Sequence, residues 1–283
     1  MPAELPAALD EVRVHERLLV FTTGGESLEA SYGANAVAVL GETGTLLVDP
    51  LVAPAYGREI RRLLALRGAA PVRWVVATHH HTDHVLGASV FSDDGAEVLV
   101  HPDAARRMAV EHPALLSERR ASPAVGGLFA DAAPVVPSRA VDSALELGTG
   151  RLRAVVSPCG PAHTPGDLRV DLPDLGVVLT GDLVSNGYHP NLEDADLSGW
   201  RSALLALLRS EAATFVPGHG DPGGREIVEA QIAWFDAALE IARRAGGGPA
   251  ARERCAASLA ARFPAHRLRV VLPSAAALLI PET

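Results

Sequence analysis

The chain has no lysine: all 25 of its basic residues are arginines. That excludes a Schiff-base lysine and a lysine clamp on phosphate. Basic charge is not in excess either. With 34 acidic residues the net charge is −9, so the footprint of a nucleic-acid binder is missing. Cysteine is scarce. Cys159 and Cys255 form no Cys-x-x-Cys motif, which argues against a disulfide framework and fits a reducing compartment. The N-terminal stretch "MPAELPAALDEVRVHERLLVF" has no basic segment leading into an apolar one, so no signal peptide is expected. No apolar run reaches membrane-spanning length. The expectation is a cytoplasmic protein that acts on neither nucleic acid nor membrane. At 283 residues and 48% hydrophobic content, it can bury a core without covalent staples.

What is present is a rhythm of short apolar strands and amphipathic helices. "NAVAVL" and "TLLVDP" flank "GETG" as a hairpin. Ile60, Leu63, Leu64 and Arg67 follow at helical spacing, with Gly68 as the stop. "VRWVVAT" and "AEVLVH" read as strands, and "PDAARRMAV" opens a helix with proline in its first turn. From residue 112 to 142 prolines and glycines break the pattern. This stretch is too long for an ordinary connection, and we read it as a lid-like insertion. The second half repeats strands and helices. Leu197, Trp200, Leu204, Leu207 and Leu208 share one helical face, and Ile227, Gln231, Phe235 and Leu239 another. The domain is expected to span 1–245. An apolar, helical extension over 246–283 would pack on it or on a second subunit of a homodimer. Two similar halves predict an α/β layered fold with helices outside the sheets.

The chemistry concentrates in "THHHTDH". His79, His80, His81, Asp83 and His84 crowd a turn after a strand, and imidazole and carboxylate both ligate zinc. Further candidates sit at other strand ends: His163 in "GPAHTPGD", Asp182 in "TGDL" and His219 in "VPGHG". Each is weak evidence alone. Together they supply ligands where loops gather at one sheet edge.

In order and spacing, these motifs resemble the metallo-β-lactamase superfamily over most of the chain. The resemblance implies an α/β fold of the αββα sandwich type, with two mixed sheets flanked by helices. It implies a dinuclear site for two divalent metal ions, zinc foremost, with manganese or iron as alternatives. His79, His81 and His163 would hold one ion, and Asp83, His84 and His219 the other. Asp182 would bridge both. His80 falls at a non-ligand position and is expected to turn toward solvent or a neighbouring loop. Asp49, in "LLVDP", resembles the carboxylate that fixes a ligand histidine's tautomer.

The implied reaction is hydrolysis by a metal-bridging hydroxide, with Asp83 as the catalytic residue that orients it. An aspartate at 182 resembles the glyoxalase II-like branch, which points to a thioester or ester of a small molecule or acyl carrier. "DHVLGAS" and the missing lysines depart from glyoxalase II itself. Asn186, Tyr188 and His189, in the loop after Asp182, are candidate substrate contacts. Three alternatives remain: a β-lactam or lactone hydrolase, a mononuclear iron persulfide dioxygenase using His79, His163 and Asp182, and a non-catalytic metal-stabilised binding module. The register itself is testable. The His80→Ala protein is expected to keep its metal and the His81→Ala protein to lose activity. Equal losses, by metal analysis and assay, would mean the register is wrong.

Overall fold

The computed structural model describes Leu5 and residues 7–281; residues 1–4, Pro6 and residues 282–283, at the two ends of the expected domain and tail, lie outside the described residues. The strands form two sheets. The first contains β1 (Asp10–His15), β2 (Leu18–Thr22), β3 (Asn35–Val39), β4 (Thr45–Val48), β5 (Val72–Val76), β6 (Glu97–Val100) and β7 (Arg139–Ala140), in that spatial order. The second runs β12 (Thr214–His219), β11 (Val177–Ser185), β10 (Leu168–Leu172), β9 (Arg153–Pro158), β8 (Leu145–Gly148). Pairing is antiparallel from β1 to β4 and parallel from β4 to β7. In the second sheet only β11 and β12 run parallel.

Period-2 alternation explains the layering. In β2, Leu18 and Val20 face the second sheet, while Leu19 and Phe21 face helices; in β5, Trp74 and Val76 face inward and Val75 outward. Both faces are covered, so these strands read as continuous apolar runs rather than alternating ones. Helices α1 (Pro54–Leu66), α2 (Thr82–Val85), α3 (Ser89–Asp93) and α4 (Pro102–Ala121) accompany the first sheet. α1 starts on Pro54, where the missing N–H costs nothing, and buries Ile60 and Leu64. α5 (Leu197–Arg209), α6 (Arg225–Ala245), α7 (Pro249–Arg262) and α8 (Leu272–Leu279) cover the second sheet through Trp200, Leu204, Trp234 and Phe235. The result is the two-sheet αββα sandwich. Among the described residues, no helix is long and apolar enough to cross a membrane.

Two stretches differ in detail from the sequence reading. The helix opened by Pro102 does not end near residue 112. It continues through Pro113 to Ala121, because Ala104, Met108, His112 and Leu116 keep a buried stripe at four-residue spacing. The irregular part of the 112–142 segment therefore begins after α4, and buried Phe129 and Arg120 pin it, the latter donating to the carbonyls of Phe129 and Ala132. The tail forms α7 and α8. Cys255, Leu259, Leu272 and Ala276 pack against α6 of the same chain.

That packing sets an expectation for stability. Leu259 is fully buried beneath α6, so Leu259→Ala is expected to cost about 2–5 kcal/mol. Denaturant unfolding at several protein concentrations checks it: a cost that vanishes on dilution would place the tail's packing on a second subunit.

Candidate metal centre

The site lies where chain ends of both sheets meet. β4 delivers Asp49, the turn after β5 delivers residues 78–81, and the short helix α2 carries Asp83 and His84. His163 comes from the β9–β10 loop, Asp182 from within β11 and His219 from the end of β12. The β11–β12 register breaks on either side of Gly181, beside Asp182. Gly181 has φ +51° and packs on Thr78, and a Cβ at Gly218 would overlap Asp182 Oδ1. Both glycines allow the strands to close on the cluster.

The structure brings all seven expected ligand positions together. His79, His81 and His163 form one group whose ligand atoms lie within 4.8 Å of one another; Asp83, His84 and His219 form a second, and His79, His84 and Asp182 a third between them. Asp182 Oδ2 is 3.5 Å from His163 Nε2 and 3.3 Å from His219 Nε2, and Oδ1 is 3.3 Å from His84 Nε2. One carboxylate thus reaches both groups. Asp83 Oδ2 lies 3.5 Å from His84 Nε2 and 3.6 Å from His219 Nε2.

The hydrogen bonds on the far side of each ring fix which nitrogen is free. His84 Nδ1–H donates to Asp49 Oδ2 (3.0 Å), His163 Nδ1–H to the Asn191 carbonyl (3.1 Å) and His219 Nδ1–H to the Tyr32 carbonyl (3.1 Å). His81 Nε2–H donates to Asp194 Oδ2 (3.2 Å) and His79 Nδ1–H to Thr78 Oγ1 (3.0 Å). The Thr78 hydroxyl in turn donates to Asp49 Oδ2 (2.7 Å). Each of the five rings, when neutral, therefore points a bare lone pair inward. His163 Nε2 and His81 Nδ1 face each other at 3.0 Å, an arrangement that a shared proton or a metal cation satisfies. His79 Nε2, His84 Nε2 and Asp182 Oδ1 are buried with no hydrogen-bond partner. An orphaned set of imidazole and carboxylate atoms fits a divalent metal, and these residues are able to bind one.

Electrostatics agree. Burial opposes charge on His84, yet Asp182, Asp83 and Asp49 outweigh it and push its pKa up to about 10. Burial pushes His163 down to about 3. Burial also works against the Asp182 carboxylate, but His219 and His84 hold it well below the ordinary carboxylate range.

Several neighbours escaped the sequence reading. Asp194 receives His81 and is itself held by Arg107. His80 is not turned to solvent: only 2% of its surface is exposed, and Nε2 lies 3.3 Å from Asp194 and 3.5 Å from Glu111. His80, His81 and Asp194 also converge, but Arg107 already occupies the other oxygen of that carboxylate. Of the candidate substrate contacts, His189 lines the cavity over the cluster. Asn186 instead donates to the Asp221 carbonyl, and Tyr188 packs on His219 with its hydroxyl on the Gly25 carbonyl. Neither of the two reaches the cavity wall. That cavity, about 720 Å³, is walled by Tyr32, by α4 from Arg107 to Arg119, and by the tail residues Leu268, Val270, Val271 and Ser274. Burial pushes the Cys159 thiol well up, which leaves it inert.

Two sheets sandwiched by helices, with a His/Asp cluster at their shared edge, define a class of metal-binding α/β proteins. The sequence profile of the metallo-beta-lactamase superfamily matches residues 32–219, and the chain belongs to that superfamily. Its fold is similar to a metallo-beta-lactamase from Pontibacter korlensis, with a TM-score of 0.67, 20% identity, and coverage of 80% of this chain and 98% of that one. It is also similar to the metallo-beta-lactamase FIM-1 from Pseudomonas aeruginosa in its mono-zinc form, with a TM-score of 0.64, 23% identity, and coverage of 83% and 98%. Among curated proteins it is 27% identical over 208 residues to the 2,4-dinitroanisole O-demethylase subunit alpha of Nocardioides sp. (strain JS1661). That match covers 73% of this chain and spans 58% of the relative's length.

The raised His84 pKa has a measurable consequence. In metal-free protein at pH 7 that ring carries a proton, because the pH lies below its pKa of about 10. Ligation requires the neutral ring, so metal uptake is expected to release about one proton or more per chain. Calorimetric titration in buffers of different ionisation heat reads this directly; heats independent of buffer would contradict it.

Proposed function

We propose that the protein is a metal-dependent hydrolase that holds two divalent cations and cleaves a thioester or ester. The observation that carries this reading is the convergence of five histidine lone pairs with the carboxylates of Asp83 and Asp182. His79, His81 and His163 would hold one cation, Asp83, His84 and His219 the second, and Asp182 both. When bound, such a pair lowers the pKa of a shared water and polarises a carbonyl oxygen. Zinc suits the N/O donor set best, with manganese or iron as alternatives.

The protein's own groups then do the positioning. Asp49, Thr78, Asp194, Asn191 and Tyr32 keep the rings in their tautomers. Asp83 lines the cavity, where its carboxylate orients the attacking water and takes its proton. The departing thiol or alcohol leaves with a proton. Val110, Leu115, Val270 and Val271 offer an apolar wall to the acyl part, and the cavity size suits a small molecule or the end of a carrier arm. A glyoxalase II-like thioesterase is the branch we favour.

A second reading comes from the Nocardioides relative, whose name gives it 2,4-dinitroanisole as substrate. The same activated water acting on an aryl methyl ether would be O-demethylation, in company with a second subunit.

A panel of thioesters, esters, lactones, β-lactams and 2,4-dinitroanisole, run on metal-defined protein, separates these. Thioester or ester turnover is expected, and Asp83→Asn is expected to lower it by roughly 10²-fold or more. Turnover of the ether alone would favour the second reading. No carbonyl turnover with two metals bound would overturn the first.

A further inference from the structure

Two arginines line the cavity, and their situations differ. Arg107 is paired with Asp194, and Glu111 lies 2.7 Å from its Nε. Arg119, near the end of α4, has no ion-pair partner among the described residues. The carboxylates that line the cavity away from the cluster, Glu111, Glu193 and Asp194, make no ion pair with it. Its Nη1 is buried without a hydrogen bond, while its guanidinium carbon lies over the Phe129 ring at 5.1 Å. A cation–π contact of that kind steadies the plane but leaves the N–H donors unanswered. Arg119 as a whole is half-buried, but leaving its Nη1 desolvated and unpaired is costly, and an anion in the cavity would answer the guanidinium.

The neighbours make the need sharper. Burial, above all, disfavours the charge on Arg119, with the Asp83 and Glu118 carboxylates acting in its favour and the Tyr32 phenol, neutral at pH 7, adding nothing there. Asp83 is a proposed metal ligand, and once coordinated its charge is no longer available to Arg119. In the loaded protein Arg119 is then left with Glu118, its neighbour on α4, with which it forms no ion pair among the described residues.

We propose that Arg119 receives an anionic oxygen group of the substrate, a carboxylate, so that this site selects anionic carbonyl compounds over neutral ones. The guanidinium presents planar, paired N–H donors that match a carboxylate. Arg119 and Asp83 line the same cavity, so a substrate whose carboxylate meets α4 would extend toward the cluster. This inference rests on the hydrolase reading for the bond that is cleaved, but not for the anion contact itself.

The test compares metal-loaded wild type with Arg119→Met, which keeps an unbranched apolar stem, and with Arg119→Lys. Metal content per chain is measured in each, and Arg119→Gln serves as a second neutral variant if the Met variant fails to load. One pair of probes is the mono-4-nitrophenyl ester of succinate and the neutral 4-nitrophenyl pentanoate. The other, read by calorimetry, is benzoate and benzamide. Arg119→Met is expected to raise KM for the anionic ester and Kd for benzoate by roughly ten- to a hundredfold. The neutral probes should change by no more than about twofold, and Arg119→Lys should recover part of the loss. Loss of discrimination within either pair supports the proposal. Parallel changes in both members of each pair, or none, overturn it. If wild type cleaves neither ester, the hydrolase reading fails for such esters and the calorimetric pair alone decides the anion contact.

Discussion

The Asp49 carboxylate is the constraint on which the centre depends. It sits just past β4 with φ +54° and is 2% exposed. A buried carboxylate persists only when its oxygens are answered. Here the Thr78 N–H, the Thr78 hydroxyl and the His84 ring all donate to it. Through these bonds one residue sets two ligands. It fixes His84 directly, and it fixes His79 through the threonine hydroxyl, which can accept from the ring only because it donates to Asp49. Those two histidines converge with Asp182, and each also joins a further group of its own, so a single side chain helps to keep the cluster in register.

The remaining three rings are held by segments far from Asp49. His163 leans on the carbonyl of Asn191, His219 on that of Tyr32, and His81 on Asp194, itself tied to α4 by Arg107. The centre is therefore a junction of both sheets, and Thr78 adds to it by accepting the Leu168 N–H from the second sheet. Assembling seven donors in this way is possible only in the folded chain, which couples metal affinity to folding.

This division explains what could be read from the sequence. The side chains that converge were legible because residues with metal-binding chemistry recur at strand ends in a fixed order, and the layered fold followed from the two-half rhythm. The groups that orient the rings were less so. Asn191 and Tyr32 act through main-chain oxygens, which leave no trace in residue type. Asp194 sits in an acidic loop where only its fold-dependent meeting with His81 sets it apart from Glu193. His80 was expected to turn away from the cluster toward solvent or a loop, and its burial depends on α4 continuing past Pro113 to bring Glu111 beside it. Asn186 and Tyr188 have the right chemistry for substrate contact and the wrong direction, because local turns and the tail use their polar atoms first.

One wall of the cavity comes from Leu268, Val270, Val271 and Ser274, beyond residues 32–219, the span shared with the superfamily profile. Every proposed metal ligand lies within that span. The metal-binding residues and one wall of the cavity above them are thus written in separate stretches of one chain, and they are free to diverge at different rates. A descendant that rewrote only its last helices would inherit the same cluster under a differently shaped wall.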